Sequence, residues 1–357
     1  MSRILPVILF ISVFTLLYLG LNSYTILRLS TLLKINHSKW IYGLIFLLTI
    51  SLPLTTVIEK FVPNIFTRIL YTIAALWIGI MFLLFSILII YEIAKLFISI
   101  NTRIAGFSIL GLVIILTIVS VITAFFVRVK YLDLEIKGLE EDLQIVQLSD
   151  MHMGTIRNSA YLNGIVERIN EIDPDVVVIT GDLVDGTAPL HEDMFKSFEK
   201  LSARIFLVSG NHEVYEGNDK IYKLFDKSKI TVLDNEIVQF DGIQLIGVAF
   251  SESRTHLKGQ LAELDINKDI PAILLYHPPL EYETAKKAGI DLQLSGHTHA
   301  GQIIPFNLIV NLFYPKTNGL YDLDGMHLYV NPGTGTWGPY MRLGSLNEIT
   351  VFNIKGI

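Results

Sequence analysis

The chain has 357 residues, of which 51% are hydrophobic and 17% are charged, and it contains no cysteine. The absence of cysteine excludes disulfides, thiolate zinc sites and a cysteine nucleophile. Residues 1–128 hold nine basic and two acidic residues, a net +7, whereas residues 129–357 hold nineteen and thirty-two, a net −13. So acidic a second part repels a polyanion over most of its surface, which argues against nucleic acid as the main substrate.

The first third of the chain consists mostly of long apolar stretches. Four stretches of 19 to 24 residues contain no charged residue, and about 20 helical residues are enough to cross the hydrocarbon core of a bilayer. They are Ile4–Leu27, Trp40–Ile58, Ile69–Tyr91 and Ile104–Val127. We therefore predict a membrane domain over residues 1–128, with four transmembrane helices and a multi-pass location in the cell membrane. The alternative, a cleaved signal peptide followed by buried helices, lacks the small-residue cleavage pattern expected after the first stretch.

The charges around these stretches suggest an anchor without giving its orientation. Five lysine and arginine residues flank the predicted spans on each side, so the positive-inside rule does not orient them. A transporter would normally place a charge or a broken helix at mid-depth. Here no charge lies inside a span, and only Pro53 interrupts one, which membrane helices tolerate. We interpret the domain as an anchor and a candidate homodimer surface.

The remainder of the chain has the pattern of an α/β domain. Residues 129–142 are predicted to link the last span to a catalytic domain, residues 143–357, whose first strand is Leu143–Leu148. Further strands are predicted at Asp175–Thr180, Ile205–Val208, Gln244–Ala249, Ala272–Tyr276, Leu292–Leu294, His327–Val330 and Ile349–Phe352. Helical spacing occurs at Ala160–Ile172, Glu192–Leu201, Asp219–Asp226 and Leu280–Ala288. Apolar strands that alternate with helices indicate a sheet covered on both faces.

Residues of the types that bind metals follow several of these strands, close to where ligands bind in open α/β sheets. Asp150 and His152 stand at i and i+2 after the first strand, and alternation along a strand would point both side chains to one face. Gly181 closes the next strand, where a glycine allows close backbone approach, and Asp182 follows it. Taken singly, each motif has a structural explanation: an Asx turn for the first and a helix cap for Asp182.

The later motifs are more specific. Gly210-Asn-His-Glu213 follows the strand Ile205–Val208, and the amide oxygen of an asparagine ligand adds no charge to a site already rich in anions. His277 and the pair His297-x-His299 follow two further strands. A single histidine at a strand end is usually structural, but the ordered combination of all these motifs makes coincidence implausible. Mixed oxygen and nitrogen donors suit two divalent transition ions better than one tetrahedral zinc, and paired metals hydrolyse phosphoesters.

With these motifs the chain resembles the calcineurin-like metallophosphoesterase superfamily, and within it the membrane-associated phosphodiesterases of the YkuE/YaeI type. The resemblance covers residues 140–355 and includes Leu294-Ser-Gly-His-Thr-His-Ala-Gly-Gln302 and Tyr329-Val-Asn-Pro-Gly-Thr-Gly-Thr336. It implies a four-layer α-β-β-α sandwich with a dinuclear metal centre. It also implies that one metal is held by Asp150, His152, Asp182 and His299, and the other by Asp182, Asn211, His277 and His297.

By the same resemblance, His212 is not a ligand but contacts the substrate phosphate and protonates the leaving oxygen, and Asp185 orients its imidazole. Two ions that flank a water lower its pKa towards neutrality, and the resulting hydroxide would attack phosphorus in line. The metals, His212 and Asn211 would stabilise the charge on the other phosphoryl oxygens. The sequence departs from the family in two places, since Ala300 replaces a common glycine and residues 249–254 lack an acidic pattern. Neither departure removes a ligand.

The leading interpretation is a membrane-anchored phosphodiesterase or pyrophosphohydrolase. It would use two divalent ions, with Mn, Fe and Zn all open, on a phosphorylated small-molecule or lipid-linked substrate. Some relatives of similar design are implicated in cleaving UDP-diacylglucosamine. One alternative is a phosphomonoesterase or phosphoprotein phosphatase, for which an acidic domain offers little sign of a basic groove. The other is a non-catalytic membrane sensor or scaffold, which would be expected to have lost ligands.

An apolar segment, Ile303–Pro315, follows His299 almost directly. Only Asn307 and Asn311 in it are clearly polar, if its prolines and Tyr314 are counted as apolar. The prolines and asparagines discourage a regular helix or a central strand, so we predict an irregular loop. Such a loop either packs in the core or meets lipid or a hydrophobic ligand. The second alternative predicts an amphiphilic substrate at the bilayer surface.

Overall fold

A computed structural model describes residues 4–186, 189–225, 228–253 and 255–357, with side chains described from residue 12 onward. The chain divides into two compact units. The first comprises Met1–Thr123 with the short segment Gly338–Met341, and the second comprises Ala124–Trp337 with Arg342–Ile357. The second unit thus begins a few residues before the predicted boundary.

Four long helices make up most of the first unit. They are α1 (Ile4–Leu32), α2 (Lys39–Phe61), α3 (Ile65–Ala94) and α4 (Thr102–Phe125). Within the described part of the chain, α2, α3 and α4 are long and apolar enough to cross a membrane. The first part of α1 lies outside the residues whose side chains are described, so the predicted span in α1 stays a prediction. Pro53 lies inside α2, which continues past it.

The helices of the first unit pack through one apolar cluster and carry charges near their ends. Leucine, tyrosine and small apolar side chains of α1, α3 and α4 share this cluster. Arg28 of α1 pairs with Glu92 of α3 at 2.5 Å, and Lys95 pairs with the other oxygen of the same carboxylate. The helices therefore extend beyond the charge-free stretches on which the prediction rested.

Two six-stranded sheets form the second unit. Their strands are β1 (Val127–Ile136), β2 (Leu143–Leu148), β3 (Val176–Ile179), β4 (Arg204–Leu207), β5 (Ile230–Val232), β6 (Glu236–Phe240), β7 (Ile243–Val248), β8 (Ala272–Tyr276), β9 (Leu292–Ser295), β10 (Gly319–Asp322), β11 (His327–Val330) and β12 (Asn347–Gly356). The first sheet has the order β1-β12-β2-β3-β4-β5 and the second the order β10-β11-β9-β8-β7-β6. In each sheet four adjacent strands run parallel: β2 to β5 in one, and β7, β8, β9 and β11 in the other.

The sheets face each other, and helices cover their outer faces. The helices of this unit are α5 (Ser159–Ile172), α6 (Asn211–Glu216), α7 (Asn218–Phe225), α8 (His256–Glu263), α9 (Tyr282–Ala288) and α10 (Phe306–Phe313). One apolar core joins residues of both sheets, such as Val178 of β3 and Leu275 of β8. The core outside the first sheet includes residues of α5 and α7, and the core outside the second includes residues of α8 and α9. The predicted four-layer α-β-β-α fold is therefore confirmed.

Three predicted elements differ from the structure, and two of them are the linker and one helix. Most of the predicted linker, residues 129–142, belongs to β1, which pairs with β12 in parallel over ten residues. Three of its four charged residues, Arg128, Asp133 and Glu135, are exposed on this edge strand, and they interrupt the apolar run by which a strand is predicted. The stretch Glu192–Leu201 forms two short 3₁₀ helices, Glu192–Met194 and Lys196–Lys200, rather than an α-helix.

The apolar segment after His299 begins with the buried Ile303 and contains a helix that does not enter the core. None of the residues of α10 is buried, so both the predicted irregular loop and the core-packing alternative are wrong. The two prolines explain the first error. Pro305 precedes the helix and Pro315 lies beyond its C-cap residue, Tyr314, so neither interrupts its hydrogen bonds.

Candidate metal centre

The residues predicted to bind metal lie just beyond the carboxyl ends of five strands. They follow β2 (Asp150, His152), β3 (Asp182), β4 (Asn211), β8 (His277) and β9 (His297, His299). Because parallel neighbours end at the same edge of a sheet, their following loops meet there. All seven residues are buried except His297, which is partly exposed.

Five of these residues have a left-handed backbone, with φ between +49° and +72°. They are Asp150, His152, Asp182, His297 and His299. Asp150 and His152 lie outside any strand, so the predicted alternation does not explain how they meet. Such strained conformations in non-glycine residues cluster at functional sites. Ala300 has a φ of +52°, which explains why a glycine would suit that position.

One group of donors, here called the first cluster, consists of Asp150, His152 and His299. The Nε2 atoms of the two histidines lie 3.0 Å apart, and His299 Nε2 lies 3.4 Å from Asp150 Oδ1. Asp150 is held in place by the backbone N–H of His297, which donates to its carboxylate at 3.0 Å. Two imidazole nitrogens and a carboxylate oxygen thus point at one small volume.

The second cluster consists of Asp182, His277 and His297. His277 Nε2 lies 3.1 Å from His297 Nδ1 and 3.2 Å from Asp182 Oδ2. The Nδ1–H of His277 donates to the carbonyl of Thr180 at 2.7 Å, which leaves its Nε2 lone pair facing the cluster. The same Asp182 oxygen is 3.9 Å from His152 Nε2 of the first cluster. Asp182, a member of the second cluster, therefore also faces the first.

Asn211 provides a test of whether these residues suit a cation. It is the first residue of α6, and its Oδ1 is buried with no hydrogen-bond partner among the residues that the structure describes. A buried acceptor without a donor is costly, and a metal ion would satisfy it. Together with the imidazoles and carboxylates, this amide oxygen gives the mixed donor set that Mn, Fe and Zn accept.

His212 lies beside the clusters, but its link to Asp185 differs from the prediction. Its Nδ1–H donates to the backbone carbonyl of Asp185 at 3.1 Å, whereas the carboxylate of Asp185 lies 3.4 Å from His152 Nδ1. The backbone of Asp185 orients His212, and its side chain faces a candidate ligand. A carboxylate behind a ligand histidine is the usual way to fix that imidazole.

Close approach of two loops explains the glycines at strand ends. A Cβ on Gly181 would lie 2.6 Å from His277 Nδ1, and one on Gly210 would lie 2.2 Å from Asp182 Oδ1. Both distances are too short for any side chain. The prediction that Gly181 permits close backbone approach is therefore confirmed.

Two buried residues that hold these loops were not identified from the sequence. Glu213 is 0% exposed, and its carboxylate accepts backbone N–H groups of Asp182, Val184 and Gly210. Arg342 donates to the backbone carbonyl of His299 at 3.2 Å and to other carbonyls nearby. Glu213 belongs to the motif Gly210-Asn-His-Glu213, so the sequence could have indicated its role. Arg342 lies outside every motif, and nothing in the sequence indicates its role.

The charges of the site favour cation binding. Burial works against protonation of His277, but Asp182 and Asp150 outweigh it and raise its pKa to about 9. Burial, together with positive charge on His277, lowers the pKa of His297 to about 3. The carboxylates that attract a proton to His277 would equally attract a metal ion, which binds the neutral imidazole in place of the proton.

A cavity of about 380 Å³ adjoins the second cluster. Its lining includes the aromatic residues Phe250, Tyr276, Phe313 and Tyr314. The ring centroid of Phe250 lies 6.2 Å from that of His297, and the Tyr314 hydroxyl lies 2.7 Å from His297 Nε2. Among the described residues, the charged groups of the lining are carboxylates, Glu252 and Glu281.

Comparison with known proteins agrees with this geometry. Residues 143–301 match the family model of the calcineurin-like phosphoesterases. The metallophosphoesterase YkuE of Bacillus subtilis is 31% identical over 242 residues, and the match covers 60% of this chain and 80% of YkuE. The chain belongs to the calcineurin-like phosphoesterase family. The resemblance to YkuE-type proteins predicted from the motifs is thereby confirmed.

Other members of the family match over a smaller share of their length. A metallophosphoesterase of Helicobacter pylori is 35% identical over 235 residues, which cover 64% of each chain. A transmembrane protein with metallophosphoesterase domain from Bos taurus is 37% identical over 230 residues, covering 58% of this chain and 52% of that protein. The chain thus spans less than two thirds of these two relatives. Its own apolar helices and the membrane-named relative both indicate membrane association.

Proposed function

We propose that the chain is a multi-pass phosphodiesterase or pyrophosphohydrolase of the cell membrane that uses two divalent metal ions. The observation that carries the proposal is the position of Asp182, whose Oδ2 lies 3.2 Å from His277 Nε2 in the second cluster and 3.9 Å from His152 Nε2 in the first. A carboxylate shared by two groups of donors suits a pair of ions, which is a common device for phosphoester hydrolysis.

The donors divide between the two ions around Asp182. One ion would be held by Asp150, His152, Asp182 and His299, and the other by Asp182, Asn211, His277 and His297. When bound, such ions supply an activated water as nucleophile and neutralise charge on the phosphoryl group. The unpartnered Asn211 Oδ1 supports this assignment.

The protein itself positions the group that acts on the leaving oxygen. The backbone N–H of His212 donates to Asp182 Oδ1 at 2.9 Å, and its Nδ1–H donates to the Asp185 carbonyl. Fixed at these two points, the partly exposed ring would act in its imidazolium form, which donates the Nε2 proton to the departing oxygen and leaves the neutral Nδ1–H imidazole. The carboxylate of Asp185 would hold His152 as a ligand.

We infer that the substrate is an amphiphilic or lipid-linked phosphate. The aromatic cavity beside His297 suits an apolar group attached to the phosphate, and the carboxylates of Glu252 and Glu281 disfavour a second anionic group there. The apolar helices of the first unit would keep the site at a membrane, where such substrates are found.

Metal dependence is the first test. We expect the detergent-solubilised full chain to hydrolyse bis(p-nitrophenyl) phosphate, to lose this activity with a chelator and to regain it with Mn²⁺, because the donors act through bound ions. Metal content measured on the same samples should follow the rate. Activity that survives exhaustive metal removal would contradict the proposal. A higher kcat/KM for p-nitrophenyl phosphate would favour the phosphomonoesterase alternative instead.

The class of substrate is the second test. We expect the combined substitution Leu308→Ser, Ile309→Ser and Leu312→Ser to lower hydrolysis of a lipid-linked phosphodiester while sparing bis(p-nitrophenyl) phosphate at saturating Mn²⁺. The reason is that these side chains point away from the protein on α10 and contribute nothing to the metal site. Equal loss on both substrates with a lower melting temperature would mean that α10 is needed for the fold.

A further inference from the structure

Helix α10 presents an unusually apolar outer face. Five of its eight residues are large, hydrophobic and exposed, and Leu312 is the most exposed of them at 81%. They are Phe306, Leu308, Ile309, Leu312 and Phe313. The one polar residue on this face, Asn311, accepts a hydrogen bond from the Thr317 hydroxyl through its side-chain oxygen. A contiguous face of this kind is expected to be covered by an apolar partner.

The surroundings of α10 favour a lipid surface as that partner. Trp337, 53% exposed, exchanges hydrogen bonds with Gln302 just before the helix. Lys316, which is partly buried, lies three residues beyond the last residue of the helix. An exposed tryptophan and a lysine close to an apolar helix are typical of segments that lie at the boundary between headgroups and acyl chains. Among the described residues, three helices are long and apolar enough to cross a membrane, which favours lipid as a partner.

The inner face of α10 connects to the metal centre. Asn307, Val310 and Tyr314 are spaced three and four residues apart and are partly buried. A Cβ on Gly301 would lie 2.2 Å from Asn307 Cα, so the helix lies tightly against the turn that follows His299. At the other end, the Tyr314 hydroxyl lies 2.7 Å from His297 Nε2. His297 points its Nδ1 at His277, so its neutral form as a ligand carries the proton on Nε2 and donates it to Tyr314.

We propose that α10 lies in the lipid surface and that Tyr314, at its end, fixes the tautomer and orientation of the ligand His297. Tyr314 is a positioning residue in this arrangement and does not itself react. The proposal rests on the proposed function for the role of His297, and it adds that one wall of the metal centre is an element seated in lipid. A substrate embedded in the bilayer would then meet the site without leaving the membrane.

Lipid contact can be measured without any assay of activity. The chain lacks cysteine, so Leu312→Cys gives a unique position for a nitroxide spin label. Lys258→Cys, on the exposed side of α8, is the matched control. In vesicles of phosphatidylethanolamine and phosphatidylglycerol, we expect the label at 312 to favour collisions with oxygen over a water-soluble nickel complex several-fold more than the label at 258. Equal accessibility of the two labels to the nickel complex would overturn the lipid contact.

The role of Tyr314 has a separate readout. Tyr314→Phe removes only the hydroxyl, and we expect Mn²⁺ affinity at one of the two sites to fall about 10- to 100-fold, the usual effect of losing a partner behind a ligand. Tyr321→Phe, which removes a hydroxyl without contact to a ligand, should leave both affinities unchanged. Calorimetric titration of the metal-free full chain measures both. Wild-type affinity in Tyr314→Phe would overturn the positioning role, whereas failure of the proposed function would show as phosphodiesterase inactivity in a chain that still binds metal.

Discussion

Replacing Asp182 by alanine should abolish turnover and empty both metal sites. Its Oδ2 is the oxygen that lies within 4 Å of imidazoles in both clusters, so its loss weakens two sites at once. Asn211→Ala should also abolish turnover, but it should lower metal content at the second site alone, because Asn211 is assigned to one ion. Metal content per chain and kcat for an aryl phosphodiester are the two measurements.

The controls separate a lost ligand from a lost fold. Asp265→Ala removes an exposed carboxylate of the same unit and should change neither quantity. Circular dichroism and the melting temperature should show that Asp182→Ala remains folded, since the apolar cores on both sides of the sheets do not depend on this side chain. A folded Asp182→Ala variant with two metal ions per chain would refute the shared carboxylate.

His212→Ala should lower kcat roughly 10²- to 10⁴-fold, the usual range for loss of a general acid, while metal content stays near normal. The backbone N–H of His212 donates to Asp182 Oδ1 and its Nδ1–H donates to the Asp185 carbonyl, and its imidazole is not assigned to either ion. The loss should shrink when the leaving group is nitrophenolate, which departs without protonation. A series of substrates with leaving groups of rising pKa measures this dependence.

Substitution of another histidine provides the comparison. His191, an exposed residue outside the site, should tolerate alanine without loss of rate. A metal-free His212→Ala variant would contradict the assignment and make His212 a ligand. A rate loss that is equally large for every leaving group would leave His212 as a phosphate contact with no role as an acid.

The sequence revealed much of the fold because the central strands are buried on both faces. Strands such as β2, β8 and β11 are short apolar runs between polar loops, and their predicted bounds match the structure. The polar residues just beyond them predict a site because carboxylates, imidazoles and an amide at successive strand ends are rare in combination. The spacing of apolar residues and the types of metal-binding side chain are both local properties, so both can be recognised in a single sequence.

What the sequence did not reveal depends on contacts between distant residues. The edge strand β1 exists because it pairs with β12 more than 200 residues away. The residues next to Asp185 in the sequence do not indicate that its backbone carbonyl accepts a hydrogen bond from His212. They also do not indicate that its carboxylate faces His152. In the sequence, Tyr314 belongs to an apolar segment, and only the folded chain brings its hydroxyl to His297. The prolines of this segment predict a broken helix, although both stand outside the ends of α10.

The left-handed backbone of five candidate ligands bears on how the protein exchanges its metal. Such conformations cost about 1–3 kcal/mol each, and the buried sheets that surround the loops hold them in place. The site is therefore shaped by the fold before an ion arrives, unlike small zinc domains that fold only when metal binds. The metal-free and metal-loaded chains should then have the same backbone conformation. Metal binding would exchange water ligands of the ion for protein ligands and would not require folding.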